Sequence, residues 1–496
     1  MDGLTKFISF FSPKRAAERV KNQITLKMMD EHTRRYEGAG RGRRFNGFNH
    51  SNSSANQQIS DALPLLRERS RDIAKNNPYG KSSIKKIGNN VVGTGIFAVP
   101  KTKNKNLDKH IKELWNNWAD ETHCDFNELQ NFYGLQSLIM KTVAKSGECI
   151  VRRVWKRKTK KDNGIIPLEL QVLDPDFIDH QKNTIKDFDN GEYIINGIQF
   201  NKYGKRIAYW IYDRHPLEAT AVSRPVPVDD IIHIFEVEDP GQVRGIPFFS
   251  SSILRMKDFD EFEDAELMKQ KVAACLSVII TKTDGDGPPS TTDKDKKGDL
   301  TERLQPGAIQ YAAPGEDVQV VNPPVFNGLK DYSRQSLQGQ AAGVGLSYEE
   351  YTGDLSNTNF SSGRMGWIAM HRNIEHWQWN LMVPMFCNKV WKWFVNAAIL
   401  ANQLPTGVKE TDIKVSWTAP RREMIDPVKE TNALIEALQA KLISWQEVVR
   451  QQGYIPEEII EQMVIDKKLF KEAGIDYDFA MNKAINSVVN KDDENN

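Results

Sequence analysis

Cysteine is scarce in this chain: Cys124, Cys149, Cys275 and Cys387 are the only four in 496 residues. They lie far apart and form no Cys-x-x-Cys pair, so the spacing of a structural zinc site is missing. They read as reduced, mostly buried thiols, a usage that suits the cytoplasm. Net charge is also nearly absent. Sixty-seven Lys+Arg against 66 Asp+Glu leave +1. A protein that grips DNA by neutralising phosphates carries a basic excess, so the balance argues against tight binding and leaves sliding contact open. Long apolar runs are missing too. The most apolar stretch, 381–404, is interrupted by Asn388, Lys389, Lys392 and Asn396 and contains Pro384, which argues against a membrane span. The N-terminal patch of Phe7, Ile8, Phe10 and Phe11 has no adequate apolar region or cleavage signal for a secretory peptide. No internal repeat is present.

Catalytic motifs are lacking as well. Tyr79-Gly80-Lys81-Ser82-Ser83 resembles the end of a phosphate-binding loop, but Lys75 stands where a second glycine is needed and the preceding run is helical. Gly93-Thr94-Gly95 is half a dinucleotide fingerprint, with Ala98 in the third glycine position. His371 and His376 are five apart, a poor match to the i, i+4 spacing of paired metal ligands. No Gly-x-Ser-x-Gly elbow or His-Glu-x-x-His occurs. These absences favour a structural or conduit role: no catalytic residue, no metal ligand and no cofactor is expected.

What is present is an apolar content of 39%, enough for a substantial core and for more than one domain. Residues 1–59 are basic and rich in Gly, Ser and Asn, and read as a flexible arm. Helical periodicity is expected over 59–90, capped by Asp61, with Leu63, Leu66, Ile73 and Ala74 inward and a break at Pro78. Residues 91–96 read as strand and turn. Helices are expected around Trp115 and Trp118 and over 126–145. Strands are expected at 149–154, 169–173, 193–195, 207–212 and 231–235, separated by turn signals such as Asn196-Gly197. A long helix over 248–277 follows, then an irregular, exposed loop at 283–298. Strands are expected at 308–311 and 318–321. A helix starts near Leu329 and fades in the Gly-rich stretch 339–345, followed by a polar loop at 351–362. A Trp-rich helix over 363–402 should kink at Pro384. Its Trp367, Trp377, Trp379, Trp391 and Trp393 read as core or interface rather than as a stacking platform for bases. A strand at 413–417, two or three helices and a polar tail close the chain. The fold class is α+β.

One segment is densely acidic: Asp258, Asp260, Glu261, Glu263, Asp264 and Glu266 on the long helix. Carboxylates could bind metal for phosphodiester cleavage, which makes a metal-dependent DNA-processing enzyme the alternative reading. At helical spacing, however, the six point nearly all round the helix, with only Phe259 and Phe262 on a narrow apolar stripe. Such a helix fits a place between subunits or along a polar channel.

Several segments in order resemble the lambda family of phage portal proteins. They are RERSRDIAKNNPY (67–79), NNVVGTGI (89–96), SGECIVRR (146–153), LQVLDP (170–175), GQVRGIP (241–247), KVAAC (271–275), VNPPVFNGLKDY (321–332) and APRREMIDPV (419–428). The resemblance spans roughly residues 60–450. It implies a wing over 60–246, a first stem helix over 247–277, a clip over 278–327 with its mobile loop at 283–298, and a second stem helix over 328–346. A tunnel loop over 347–362, a long wing helix with a strand over 363–424, and a helical crown with tail over 425–496 complete it. A ring of about twelve copies with a closed heterologous interface is implied. So are a virion location at the capsid vertex, assembly in the host cytoplasm, and no membrane contact. The implied partners are further copies of the chain, the terminase large subunit, capsid and scaffolding proteins, a head-tail adaptor, and double-stranded DNA held weakly and without sequence preference. Under this resemblance Ser356, Asn357, Thr358 and Asn359 face the DNA, with Lys330 and Arg334 as a sparse basic ring or as partners of a neighbour's carboxylates. The acidic helix lines the stem, and Lys294, Asp295, Lys296 and Lys297 dock partners at the clip.

Overall fold

The computed structural model describes residues 12–14, 17–22, 53–156, 166–184, 190–218, 220–275, 279–282, 293–294, 300–301, 316–319, 328–421 and 423–475. Residues 1–54 form one compact unit and residues 55–496 another. Most of the basic arm, nearly all of the loop 283–298, the strand expected at 308–311 and the tail lie outside the described residues.

Helix α1 (Ala55–Asn76) starts before the expected boundary, so Asp61 lies inside it rather than at its cap. Its inward face is Ile59, Leu63, Arg67 and Ser70, one residue per turn. Leu66, Ile73 and Ala74, expected there, are only half-buried. Asn77 separates α1 from α2 (Pro78–Val92). The Asn77 Oδ1 accepts the Gly80 N–H at 2.8 Å and Pro78 takes the first helical position. The Tyr79–Ser83 motif is therefore the first turn of a helix. Val91 and Val92, read as strand, instead close α2 on the core, and β1 (Phe97–Lys101) follows the turn at Gly93 and Gly95.

Helix α3 (Lys105–Ala119) carries Trp115 and Trp118 as expected. Helix α4 (Phe132–Ser146) starts later than the pattern suggested. The Asp125 carboxylate accepts the N–H groups of Asn127, Leu129 and Gln130, which holds that stretch as a loop. Asn131 then caps α4 through the Gly134 N–H at 2.9 Å.

Strands β2 (Glu148–Trp155), β3 (Leu168–Leu173) and, further along the chain, β8 (Ile231–Phe235) form an antiparallel sheet of order β3-β2-β8. Between β3 and β8 the chain inserts a meander of β4 (Tyr193–Ile195), β5 (Ile198–Phe200), β6 (Arg206–Tyr212) and β7 (Ser223–Pro227). Two of these strands were not anticipated. β5 follows Asn196-Gly197, whose positive φ values of 49° and 80° make a two-residue hairpin turn. β7 carries Pro225 and Pro227, which an edge strand tolerates.

Helix α5 (Ile253–Cys275) is the acidic helix. It starts after Pro247, because residues 248–252 are turns. β9 (Ile279–Lys282), β10 (Asp293–Lys294), β11 (Leu300–Thr301) and β12 (Glu316–Gln319) pair as β9 with β12 and β10 with β11. Helix α6 (Leu329–Val344) runs through Gly339 and Gly343 instead of fading there. The expected polar loop is shorter than 351–362, since α7 (Tyr348–Thr352) and α8 (Phe360–His376) enclose only 353–359.

The Trp-rich helix continues from α8 through a π-helical segment, Trp377–Cys387, into α9 (Asn388–Leu400). Pro384 sits inside that segment. The wider turn makes room for a ring that would collide with a carbonyl in an α-helix, so the position where a kink was expected lies in a π-helical segment. β13 (Lys414–Thr418) returns to pair antiparallel with β1. Helices α10 (Pro427–Gln439), α11 (Trp445–Gln451) and α12 (Pro456–Glu472) end the described chain.

Two hydrophobic clusters form the interior: a smaller one, with Ile150, Ile198, Phe200, Tyr209 and Ile211, packs the meander on the sheet, and a larger one joins the helices α2 to α9 with β1 and β13. Trp115 is packed edge-on or tilted against Trp118, Phe132, Trp391, Phe394 and Trp417, with ring centroids 4.9–6.1 Å apart. Trp377, Trp391 and Trp393 are buried, as a core reading requires, whereas Trp367 is half-buried and Trp379 is 46% exposed.

Candidate functional site

The two helices flanking residues 276–328 pack together at their roots. The α5 side chains Met256 and Phe259 are buried, and Phe262 meets Tyr332 of α6 at 4.5 Å between centroids. Gly339 and Gly343, four apart on α6, open the contact. A methyl group at Gly339 would collide with the Arg255 guanidinium, and one at Gly343 with the Ser252 hydroxyl. Ser251 Oγ and Ser252 Oγ donate to the carbonyls of Gly343 and Gln340, each at 3.3 Å.

Asp258, Asp260, Glu261, Glu263 and Asp264 are exposed on α5, and Glu266 is half-buried. Asp260 accepts from the Asn77 amide at 2.8 and 3.1 Å, which ties α5 to the start of α2. Glu261 pairs with Lys257 at 3.1 Å and Glu266 with Lys269 at 3.6 Å, surface contacts of small energy. Partial burial, together with the charges of Asp260 and Asp264, pushes the Glu263 carboxyl upward. Helical spacing disperses these carboxylates. Among the described residues none of them belongs to a group within metal-ligand reach, so the reading of α5 as a nuclease centre has no support from this geometry. On α6, Lys330 is exposed, and Arg334 is half-buried with its guanidinium 5.5 Å from the Tyr348 ring.

The loop 353–359 is built on a firm base. Tyr351 is buried, donates to Gln340 Oε1 at 3.0 Å and stacks on Tyr79 at 5.6 Å. Lys86 donates to the Glu350 carbonyl. Asp354 accepts from the Tyr348 hydroxyl at 3.2 Å and from the Ser356 N–H at 2.9 Å, turning the chain outward. Ser356 and Asn357 are exposed at the tip, beside Leu355 at 67% exposure. Asn359 belongs to the base instead. Its Oδ1 accepts the Ser362 N–H at 2.8 Å, and Ser362 Oγ accepts the Asn359 N–H at 3.1 Å, a capping box for α8.

A buried charge cluster was not anticipated. Glu148, the first residue of β2, is fully buried. Its carboxylate accepts from Arg67 Nη2 at 2.7 Å, Arg244 Nη2 at 2.5 Å and Nε at 2.9 Å, His233 Nε2 at 2.8 Å and the Gly245 N–H at 2.9 Å. Arg67 also reaches Asp176 at 2.8 Å, and Arg71 bridges Asp174 and Asp176. Three guanidiniums face three carboxylates. Burial alone would raise the Glu148 carboxyl, but Arg244, His233 and Arg67 outweigh it and hold it well below the usual range. Burial pushes His233 down to about 4 against the pull of Glu148, so the ring is neutral and donates from Nε2. The cluster joins α1, β2, β8 and the 241–247 segment that leads into α5. The one available signal was Arg244, a lone charge among Gly, Ile and Pro.

Asp174, Asp176 and His215 also lie within metal-ligand reach of one another, but Arg71 and Arg67 already pair with the two carboxylates, and no metal role is assigned to them. His371 stacks on Trp367 at 4.7 Å, and His376 lies 3.6 Å from Glu236. Cys124, Cys149 and Cys387 are buried, and burial raises all three thiols, as inert side chains require. Asp295, Lys296 and Lys297 lie outside the described residues. Of Lys294 only the backbone, in β10, is described.

A family model described as phage portal protein, lambda family, matches residues 41–378. A probable portal protein of Halomonas phage phiHAP-1 is 23% identical over 433 residues, covering 83% of this chain and 81% of its own length. Portal protein B of Escherichia phage lambda is 20% identical over 491 residues, covering 88% and 90%. Among solved structures, a chain in the neck of a native gene transfer agent particle is 13% identical, covers 78% of this chain and 94% of its own, and superposes with a TM-score of 0.45. A likeness at that score says nothing of function.

Proposed function

Since the chain belongs to the lambda family of phage portal proteins, a structural rather than enzymatic family of virion components, we propose that it closes into the ring at a capsid vertex through which double-stranded DNA is packaged and later ejected. The observation that carries this reading is the family match over residues 41–378, which takes in the pair of long helices and the segment between them. In this reading α5 and α6 are the stem, residues 278–327 the clip, and residues 353–359 the tip of the tunnel loop. The terminase large subunit and then a head-tail adaptor dock on the clip, with Lys294, Asp295, Lys296 and Lys297 as contacts. Assembly takes place in the host cytoplasm with capsid and scaffolding proteins.

Physical chemistry supports passage without grip. DNA affinity grows with each counterion that a basic residue releases, so a cationic lumen would hold its cargo. The net charge of +1 and the exposed carboxylates of α5 avoid this. Ser356, Asn357 and Thr358 can make transient contacts with phosphates and sugars that read no sequence. Lys330 and Arg334 add a sparse basic element. The energy for transport comes from a separate motor.

Negative-stain images test the assembly. Purified protein is expected to show rings with a central hole and a projecting stalk. A chain that stays monomeric even with capsid and scaffolding proteins would overturn the reading. The low-friction stem has its own test. The triple variant Asp258→Lys, Glu261→Lys, Asp264→Lys changes only exposed side chains, so rings should form as before. Filter binding of linear DNA should then strengthen at low salt and weaken steeply as salt rises, and packaging should slow. Unchanged packaging would show that the α5 carboxylates do not face the DNA.

A further inference from the structure

Helices α10, α11 and α12 have no inside of their own. Among the described residues α10 and α11 bury no side chain, and α12 buries only Pro456 at its start. Every residue of α12 from Ile460 to Leu469 is exposed. Yet Ile459, Ile460, Met463 and Val464 share one side of that helix. Eleven of the 28 large apolar side chains exposed among the described residues fall between Val428 and Ile475, so uncovered apolar surface is concentrated here. Helices of this length draw their stability from burying such a face, not from propensity.

A groove of about 1070 Å³ opens elsewhere on the same chain, between the π-helical segment, β13 and the helices α10 and α11. Val383, Val415, Trp417 and Leu434 line it, together with Trp379 at 46% exposure. Arg364, Arg450, Glu375, Glu430 and Glu447 also line it, so its walls carry both signs. No residue of α12 lines the groove, and Glu458 near the start of α12 is held by Lys112 of α3 at 2.5 Å. The α12 stripe also has both signs beside it, Glu457 and Glu458 before it and Lys467 and Lys468 after it.

One chain thus carries an uncovered stripe and an unfilled groove that do not meet. A two-fold pair, with each stripe in the other's groove, would cover both and stop at a dimer, whereas in the ring proposed above the stripe and the groove of each copy meet different neighbours. Head-to-tail pairing covers both at every contact and closes in a ring. We propose that α12 of one subunit seats its stripe over Trp379 in the groove of the next, and that this is the contact without which subunits do not join. This rests on the ring reading above and names the two surfaces that it would use.

Two variants test it. Trp379→Glu spoils the groove and leaves the stripe; Val464→Glu spoils the stripe and leaves the groove. Both side chains are substantially exposed, so circular dichroism melts should match the parent chain. Each variant alone should give no rings on size exclusion with light scattering. An equimolar mixture should give one-to-one heterodimers by native mass spectrometry, because only one intact stripe and one intact groove remain and no third copy can add. Rings formed by either variant alone, or a mixture without heterodimers, would overturn the docking. A parent chain that forms no rings would instead overturn the assembly reading on which it rests.

Discussion

Glu148→Gln should lower the stability of the folded chain by about 3–5 kcal/mol, the cost of removing one partner from a buried ion pair. The glutamine keeps the size of the side chain but leaves Arg67 and Arg244 without the charge that offsets their burial. The measurement is the urea midpoint followed by tryptophan fluorescence, which should fall with little change in slope. Arg244→Met should cost a similar amount. The double variant should cost less than the sum, because it removes both members of one pair. Additive losses would show that Glu148 and Arg244 act independently.

The same cluster predicts a pH dependence. The folded chain protonates His233 only near pH 4, whereas the unfolded chain does so near the ordinary value of 6.5. Between these limits the unfolded state binds more protons, so stability falls as pH drops. Glu148 acts in the same direction. Its carboxyl is held well below its ordinary value of 4.5, so its contribution is present above that value and is lost as acid finally protonates it in the folded state. The urea midpoint should therefore decline from about pH 6.5 downward. His233→Phe should flatten the upper part of that decline.

The second large effect is expected at Gly245→Val. Gly245 and Gly147 cross where the chain leaves the sheet for α5. A Cβ on Gly245 would collide with the Gly147 carbonyl oxygen and lie 2.5 Å from Phe235 Cβ. A Cβ on Gly147 would meet the Gly245–Pro247 backbone within 2.6–2.8 Å, and Gly147 also has a φ of 87°. Backbone cannot swing aside as a lysine tip can, so the segment must shift. Arg244 and the Gly245 N–H, both bonded to Glu148, would shift with it. The expected result is loss of soluble, ring-forming protein on size exclusion. Gly366→Ala serves as the control, since its Cβ would make only ordinary contacts and alanine favours a helix. Normal rings from Gly245→Val would show that the crossing does not set the direction of α5.

Much of the fold was legible because it is local. Helical spacing around Trp115, the short apolar runs between turn signals that became β2, β3, β6 and β8, and the charge on all sides of α5 are properties of neighbouring residues. The ordered segments from Arg67 to Val428 identified the family for the same reason: short-range patterns survive where overall identity is low. Boundaries failed where side chains compete with the backbone. Asp125 delays α4, Asn359 converts the end of a loop into a helix cap, and Pro384 lies in a π-helical segment that no periodicity announced.

By itself, then, the sequence determined the order of the elements, the near-neutral charge and the family. The burial of Arg67, Glu148, His233 and Arg244 together was decided only by the tertiary structure. These residues lie up to 177 positions apart, from Arg67 to Arg244, and even the lone charge of Arg244 names no partner. Desolvation makes such a group costly, and only a partner brought close by folding makes it tolerable. No local pattern records that partner. The same holds for the groove beside Trp379 and the bare stripe of α12, which are defined by what the rest of the chain leaves uncovered.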